Sequence, residues 1–276
     1  MIDAAIASGD ADKVATVIDL AKQTNPDDVV QIEAIESEFA ASQKELAAQQ
    51  AAAKEEEIRS ASLLDNWTGE GQIGAFRSTG NSSNIGLSAG LQLERVGISW
   101  RHKLNAIADY QRSNGVTTRE QFLFAYEPNY QINDRLYAYA LGQYERDRFQ
   151  GFSSRIASSG GLGYRVIMED DMTLSVKAGP AWRKTSFIGG GSSSELAGLA
   201  ALDFDWKLSD TIKVTQDASA FIQSGNKSFS SATGLEAALG GNLSARLAYI
   251  MEHDTNPPFG AVKTDTMTRF TLVYGF

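Results

Sequence analysis

The chain has 276 residues, no cysteine, and 34 acidic against 25 basic side chains, for a formal net charge of -9. The missing thiols exclude disulfides, thiolate metal sites and cysteine nucleophiles. The acidic balance, with no Lys/Arg run longer than two, argues against nucleic acid, whose phosphates require concentrated cations.

The opening residues, MIDAAIASGDADKVATV, lack a basic stretch followed by an apolar one, so no signal peptide is expected in this numbering. A leader of that kind is removed on secretion. Residues 1–63 read as a helical segment. Ser8-Gly9-Asp10 offers a turn and cap before ADKVATVIDLAKQ, in which Val14, Val17, Ile18 and Ala21 recur at helical spacing. A turn at Asn25-Pro26-Asp27-Asp28 places Pro and acids where a second, long helix should begin. Along that helix Ile32, Ile35, Phe39, Ser42, Leu46, Gln49 and Ala53 form a narrow seam that turns polar at Ser42 and Gln49. Ile32, Ile35, Phe39 and Leu46 are its candidate interaction residues, and four uses are open. The seam packs on the shorter helix as a hairpin, self-associates as a coiled coil, enters a barrel as a plug, or tethers another envelope protein.

From Trp67 the period changes from helical to two. ISWRHKLNAIADY aligns Ile98, Trp100, Leu104, Ala106, Ala108 and Tyr110 on one face, with Ser99, Arg101, Lys103, Asn105, Asp109 and Gln111 opposite. LAGLAALDFDWKL and NLSARLAYIME repeat the pattern. Twelve such segments are expected, near residues 66–78, 84–94, 98–111, 117–131, 135–148, 155–167, 172–185, 194–208, 211–223, 228–240, 242–254 and 264–276. Tight connections (Arg95-Val96-Gly97, Asn133-Asp134, Met168 to Asp171, Ser209-Asp210, Gly240-Gly241) alternate with looser ones (STGNSSN, RSNGV, FQGFSS, TSFIGGGSSS, SGNKS, DTNPPFGAVK). Short turns on one rim and longer loops on the other describe an up-and-down outer-membrane barrel. No run of roughly eighteen apolar residues exists for a transmembrane helix. A barrel strand passes that test unseen because only one of its faces is apolar.

Alternation alone also fits a soluble sandwich, with one face buried and one wet. Aromatics favour the barrel: Trp100, Tyr110, Tyr126, Tyr130, Trp182, Phe204, Trp206, Tyr249 and Tyr274 sit on apolar faces near segment ends, as an interfacial girdle requires. The opposite faces then supply lumen charges: Arg101, Lys103, Asp109, Arg183, Asp203, Asp205, Lys213, Arg246 and Arg269, with Arg119, Lys177, Asp217 and Glu252 on the same register. The final segment TRFTLVYGF puts Phe270, Leu272, Tyr274 and Phe276 on one stripe up to the last residue, as the closing strand of a barrel facing lipid. A terminal Phe after alternating aromatic and aliphatic residues also resembles the C-terminal signal that such barrels present to the barrel-assembly machinery.

WTGEG at 67–71, STGNSS at 78–83, WRHKLNAIADYQRSNG at 100–115, YERDRF at 144–149, GLGYR at 161–165, LDFDWKLSDT at 202–211 and the terminal LVYGF carry a further resemblance. Residues 67–276 resemble the YdiY-like family of salt-induced outer-membrane proteins of Gram-negative bacteria, a family of unknown function. The resemblance implies fold and location and carries no activity.

The reading is therefore an all-β transmembrane protein, a twelve-stranded antiparallel barrel over residues 64–276 behind a periplasmic helical segment over 1–63. Catalysis is not expected. His102 and His253, the two histidines, lie in no nucleophile motif. Asp203, Asp205 and Lys207 read as part of a salt-bridge ladder before a cation site, and Gly189-Gly190-Gly191 lacks the lysine and helix of a phosphate cradle. No cofactor or metal is expected. Outer-membrane lipid is the expected partner, with a periplasmic or outer-membrane protein, the cell wall or a second copy met through residues 1–63. Two functions stay open: a narrow pore for small solutes or ions, or a structural anchor whose helices hold a partner. A lumen of this size between eight- and sixteen-stranded barrels is compatible with either an open or a filled interior.

Overall fold

The computed structural model describes residues 1–62, 65–79, 84–113, 116–257 and 261–276. Residues 80–83 of the STGNSSN connection, Asn114-Gly115, Pro258-Phe259-Gly260 and the boundary at Leu63-Leu64 lie outside the described residues. Two compact units result, Met1–Leu63 and Leu64–Phe276.

The first unit contains α1 (Ile2–Ser8), α2 (Ala11–Thr24), a 3-10 turn at Pro26–Asp28, and α3 (Val29–Ser60). Gly9 ends α1 in the left-handed region at φ 69°, and the Asp10 side chain accepts from the Lys13 amide to cap α2. Val14, Ile18 and Ile32 form a buried core joined by Ile2, Ile6, Ala21 and Phe39. Lys22 reinforces it by donating to Glu36 at 2.7 Å, a hydrogen bond that raises the lysine's pKa. The first half of the seam thus serves a hairpin, with Ile32 buried and Ile35 and Phe39 half-buried. Leu46 is 48% exposed, and at 1.5 Å per residue the 32 residues of α3 reach roughly 48 Å.

The second unit is a closed antiparallel barrel of twelve strands. They are β1 (Trp67–Thr79), β2 (Asn84–Val96), β3 (Trp100–Ser113), β4 (Val116–Gln131), β5 (Leu136–Asp147), β6 (Phe152–Met168), β7 (Met172–Phe187), β8 (Ser192–Lys207), β9 (Ile212–Gln223), β10 (Asn226–Gly240), β11 (Leu243–Asp254) and β12 (Thr264–Gly275). Each strand pairs with its sequence neighbours, and β12 closes on β1 from Glu70↔Gly275 to Thr79↔Thr266. Two hydrogen bonds between Gly69 and Phe276, both 2.9 Å, pin the last residue. Closure leaves no free edge in hydrocarbon, where an unpaired backbone group is costly.

The alternation resolves into an outer apolar surface and an inner polar one. Ile73, Leu87, Leu162, Leu196, Leu247 and Phe270 are among the large apolar side chains exposed on the outside. Of the nine girdle aromatics, eight are exposed and Phe204 is half-buried. An apolar band of this extent is far larger than the patches soluble proteins tolerate. Among the described residues no helix is long and apolar enough to cross a membrane.

Both ends of the barrel chain and the connections 97–99, 132–135, 169–171, 208–211 and 241–242 share one rim, the turn rim. Among the described residues, the opposite, loop rim carries 148–151, 188–191, 224–225, 255–257 and 261–263. Its members are less uniform than the sequence suggests: SGNKS forms a two-residue hairpin at Ser224-Gly225, with Gly225 at φ 81°. The Gly189 to Gly191 stretch likewise closes a short hairpin between β7 and β8, with Gly190 and Gly191 at positive φ.

Candidate functional site: a one-ended charged lumen

Inward positions follow from strand parity, and all nine lumen charges read from the sequence occupy them. Long-range ion pairs show the inward direction, because they join strands that are not neighbours. Lys103 on β3 meets Asp203 on β8 at 3.4 Å, and Arg269 on β12 meets Asp109 on β3 at 2.6 Å. Such chords can only cross the interior.

The lumen divides into two halves. Toward the loop rim its charges are buried and interlocked. Asp109 also accepts from Ser88 at 2.7 Å. Arg119 faces Asp147 at 3.9 Å and donates to Gln121 at 2.7 Å, and Gln121 donates to Glu145 at 3.2 Å. Arg155 lies 3.7 Å from Glu145 and 4.0 Å from Asp254. Gln150, in the β5–β6 connection, donates to Glu252 at 2.5 Å. The Asp109 and Asp147 side chains are fully buried, and Asp147 receives the Phe149 and Gln150 amides at 2.9 and 3.2 Å.

Inward aromatics complete this layer. Phe152 is wholly buried beneath the Arg155 guanidinium, 4.0 Å from its ring centroid, and Arg183 stands 4.0 Å over Phe221. Phe76 lies under Arg119 at 5.8 Å. A guanidinium can stack on a ring and still present its N–H fork, which suits it to a crowded, dry layer. On the β5–β9 wall Tyr137, Tyr139, Ala157, Ala181, Leu199 and Phe221 pack into an apolar cluster inside the barrel.

Toward the turn rim the interior is open. A cavity of about 1060 Å³ begins among Thr68, Glu169, Asp170 and Gly275 and ends on Arg119, Glu252 and Arg269 of the buried layer. Several of its wall charges are paired with an opposite charge: Arg101 pairs with Glu94 at 3.1 Å, Lys213 with Asp205 at 2.7 Å, and Lys177 with Glu127. Arg246 holds Glu70 at 2.5 Å and Glu236 at 2.6 Å. Asp203 and Asp205 each take a lysine, and Lys207, Cα-paired with Lys213, is exposed. Among the described residues no cluster of three metal-ligating side chains occurs.

The histidines lie on the outer face. His102 sits between the Trp100 and Tyr126 rings, with its Nδ1 2.8 Å from the Tyr126 hydroxyl, and His253 Nδ1 lies 2.7 Å from Thr264 Oγ1. Phe270, Leu272, Tyr274 and Phe276 are all exposed on the outer stripe of the closing strand.

Sequence reasoning missed the acidic partners Glu70, Glu94, Glu127, Glu145, Asp147, Glu236 and Asp254, and the inward aromatics. Strand parity could have placed the acids on the inner face. The same parity puts Phe221 on the face of Lys213 and Asp217, whereas Phe152 lies before the expected segment 155–167 and had no register to follow.

The family described as "Protein of unknown function, DUF481" matches residues 71–276. The uncharacterized protein YdiY of Escherichia coli (strain K12) is 23% identical over 215 residues, spanning 78% of this chain and 85% of that protein. Among solved structures the NanC porin superposes with a TM-score of 0.53 at 7% identity, over 75% of this chain and 98% of that one. The translocator domain of the autotransporter NalP from Neisseria meningitidis gives 0.47 at 12% identity, over 85% and 98%.

Proposed function

The chain belongs to the DUF481 family of proteins of unknown function, and from that premise and the form of its lumen we propose an outer-membrane barrel that acts as a narrow, weakly selective pore for small solutes or ions. The cavity of about 1060 Å³ that runs from the turn rim to the buried charged layer carries this reading. A wall of one sign would concentrate counter-ions. Here Arg101, Lys103, Lys213 and Arg246 each stand beside a carboxylate, so net selectivity is weak. The layer built on Asp109, Arg119, Asp147, Arg155 and Arg269 is the constriction, and its rearrangement sets conductance.

The apolar outer band supports insertion in a membrane, and a closed barrel of this kind belongs in a bacterial outer membrane. In such barrels short turns face the periplasm, and on this reading the turn rim faces that compartment and residues 1–62 are periplasmic. The terminal stripe Phe270, Leu272, Tyr274 and Phe276 is the segment offered to the assembly machinery.

The test is single-channel recording of the full chain in a planar bilayer, after a heat-dependent mobility shift on a detergent gel confirms folding. Discrete small steps with a cation-to-anion permeability ratio near unity are expected. Folded protein that gives no steps overturns the pore. The second reading, an anchor, is favoured by α3: residues 44–60 are exposed apart from half-buried Ile58, a length of helix that a pore does not need. Deleting residues 1–62 separates the two, because loss of a copurifying partner with conductance unchanged favours the anchor.

A further inference from the structure

The two rims of the barrel carry opposite charge. Along the turn rim the connections 132–135, 169–171 and 208–211 hold Asp134, Glu169, Asp170, Asp171 and Asp210, all exposed, against Arg135. The described loop-rim connections hold Arg148 and Lys263, both exposed, and no Asp or Glu. The sequence at 80–83, 114–115 and 258–260 adds no charged residue.

The outward face of the strands repeats this bias just inside the loop rim. Arg77 on β1 is Cα-paired with Ile85 and Thr268, Lys184 on β7 with Ile156 and Ser194, and Lys227 on β10 with Ile222. Ile85, Ile156 and Ile222 are exposed members of the outer apolar band, so the three cations stand at its edge. Each is itself exposed, and among the described residues none of them has an ion pair. Arg146 on β5 lies on the same face and meets Glu120 at 3.3 Å, the single outward carboxylate of the strands among the described residues.

A chain of net charge -9 has acids to spare. Their exclusion from one rim and its outer edge is what an anionic surface at that rim would select. We propose that the loop-rim edge of the outer surface docks against a leaflet of net-anionic, phosphate-bearing lipid, one head group to each exposed cation. A lysine or arginine at the edge of the apolar band lays its aliphatic stem along the wall and puts its charge at head-group level. There a lipid phosphate accepts charge-assisted hydrogen bonds from it. The attraction fades within a Debye length of the head groups, so it acts on this edge and not on the lumen charges. The same surface repels the acidic turn rim, so the asymmetry also fixes which way the barrel lies. The inference rests on the barrel lying in a membrane, goes beyond the pore reading and is independent of conductance.

The experiment compares two tryptophans on the outer face of the full chain. Trp182 is two residues from Lys184 on the same face, and Trp206 is Cα-paired with Met172 beside the acidic turn 169–171. In forms that keep one of the two, with the other three tryptophans changed to Phe and the heat-dependent mobility shift retained, fluorescence is read in phosphatidylcholine vesicles. These contain either brominated phosphatidylcholine or brominated phosphatidylglycerol, and the ratio of the two quenching strengths measures preference for the anionic lipid. A ratio at Trp182 about fivefold that at Trp206 is expected from one cation at the surface. It should fall to the Trp206 value in Lys184→Gln and persist in Lys184→Arg. Equal ratios at the two tryptophans overturn the inference, as does a Trp182 ratio unmoved by Lys184→Gln. Failure of brominated phosphatidylcholine to quench either tryptophan removes the membrane barrel and this inference with it, whereas strong and equal quenching by both lipids leaves the barrel and removes only the docking edge.

Discussion

The two halves of the lumen hold their charges in opposite ways. In the loop-rim half, among the described residues, Arg119, Arg155 and Arg269 face carboxylates, and Arg183 donates to Ser228 and stacks on Phe221. In the turn-rim half the ion-paired lysines Lys103, Lys177 and Lys213 appear, and pairs such as Lys103–Asp203 keep 40% and 47% of their side chains exposed to the cavity. An arginine can satisfy several acceptors and stack at once, so it tolerates removal from water. A lysine is a strongly hydrated point charge that prefers to stay wet. The contrast teaches that the barrel interior is graded, dry and interlocked at one rim and hydrated at the other.

Removing one partner of a dry pair should separate the halves most sharply. Asp109→Ala leaves Arg269 buried without its carboxylate, a defect worth about 3–5 kcal/mol, and should lower the temperature at which the gel mobility shift occurs. The matching change in the wet half, Lys213→Ala, should cost no more than about 1 kcal/mol and leave that temperature almost unchanged. An equal shift in both would erase the distinction. Between these extremes lies Gly163→Val on the apolar wall. A Cβ at Gly163 would stand 2.1 Å from the Tyr137 ring, so overpacking should cost about 1–3 kcal/mol and displace Tyr137 from the apolar wall. Tyrosine fluorescence quenching by iodide added from the turn-rim side should rise in that variant.

The period-two face, the onset of strands at Trp67 and the pinned terminal strand were legible because alternation is a local property of the chain. The outer aromatics Trp100, Tyr126, Tyr130 and Tyr274 announced themselves by sharing a face with aliphatic residues. Phe76, Phe152 and Phe221 did not, because an inward aromatic shares its face with charged residues and its role depends on which guanidinium the closed sheet brings over it. The chords Lys103–Asp203 and Arg269–Asp109 join residues 100 and 160 positions apart. Only strand stagger, which emerges on closure, decides that they meet. In the helical unit the spacing of Ile32, Ile35, Phe39 and Leu46 described a seam that turns polar at Ser42 and Gln49, and so is strongest in its first half. α2 ends at Thr24, however, and its core reaches Phe39 but not Leu46.

The proposed constriction of the lumen is the buried layer, and the most direct measurement is unit conductance with that layer thinned. Arg119→Ala combined with Asp147→Ala removes a cation and its carboxylate together, so no unpaired charge from that pair is left behind. Side by side with the parent, and with both proteins showing the heat-dependent mobility shift, the double variant should conduct in steps several-fold larger. Steps of the same size in the two proteins would mean that the layer does not limit passage.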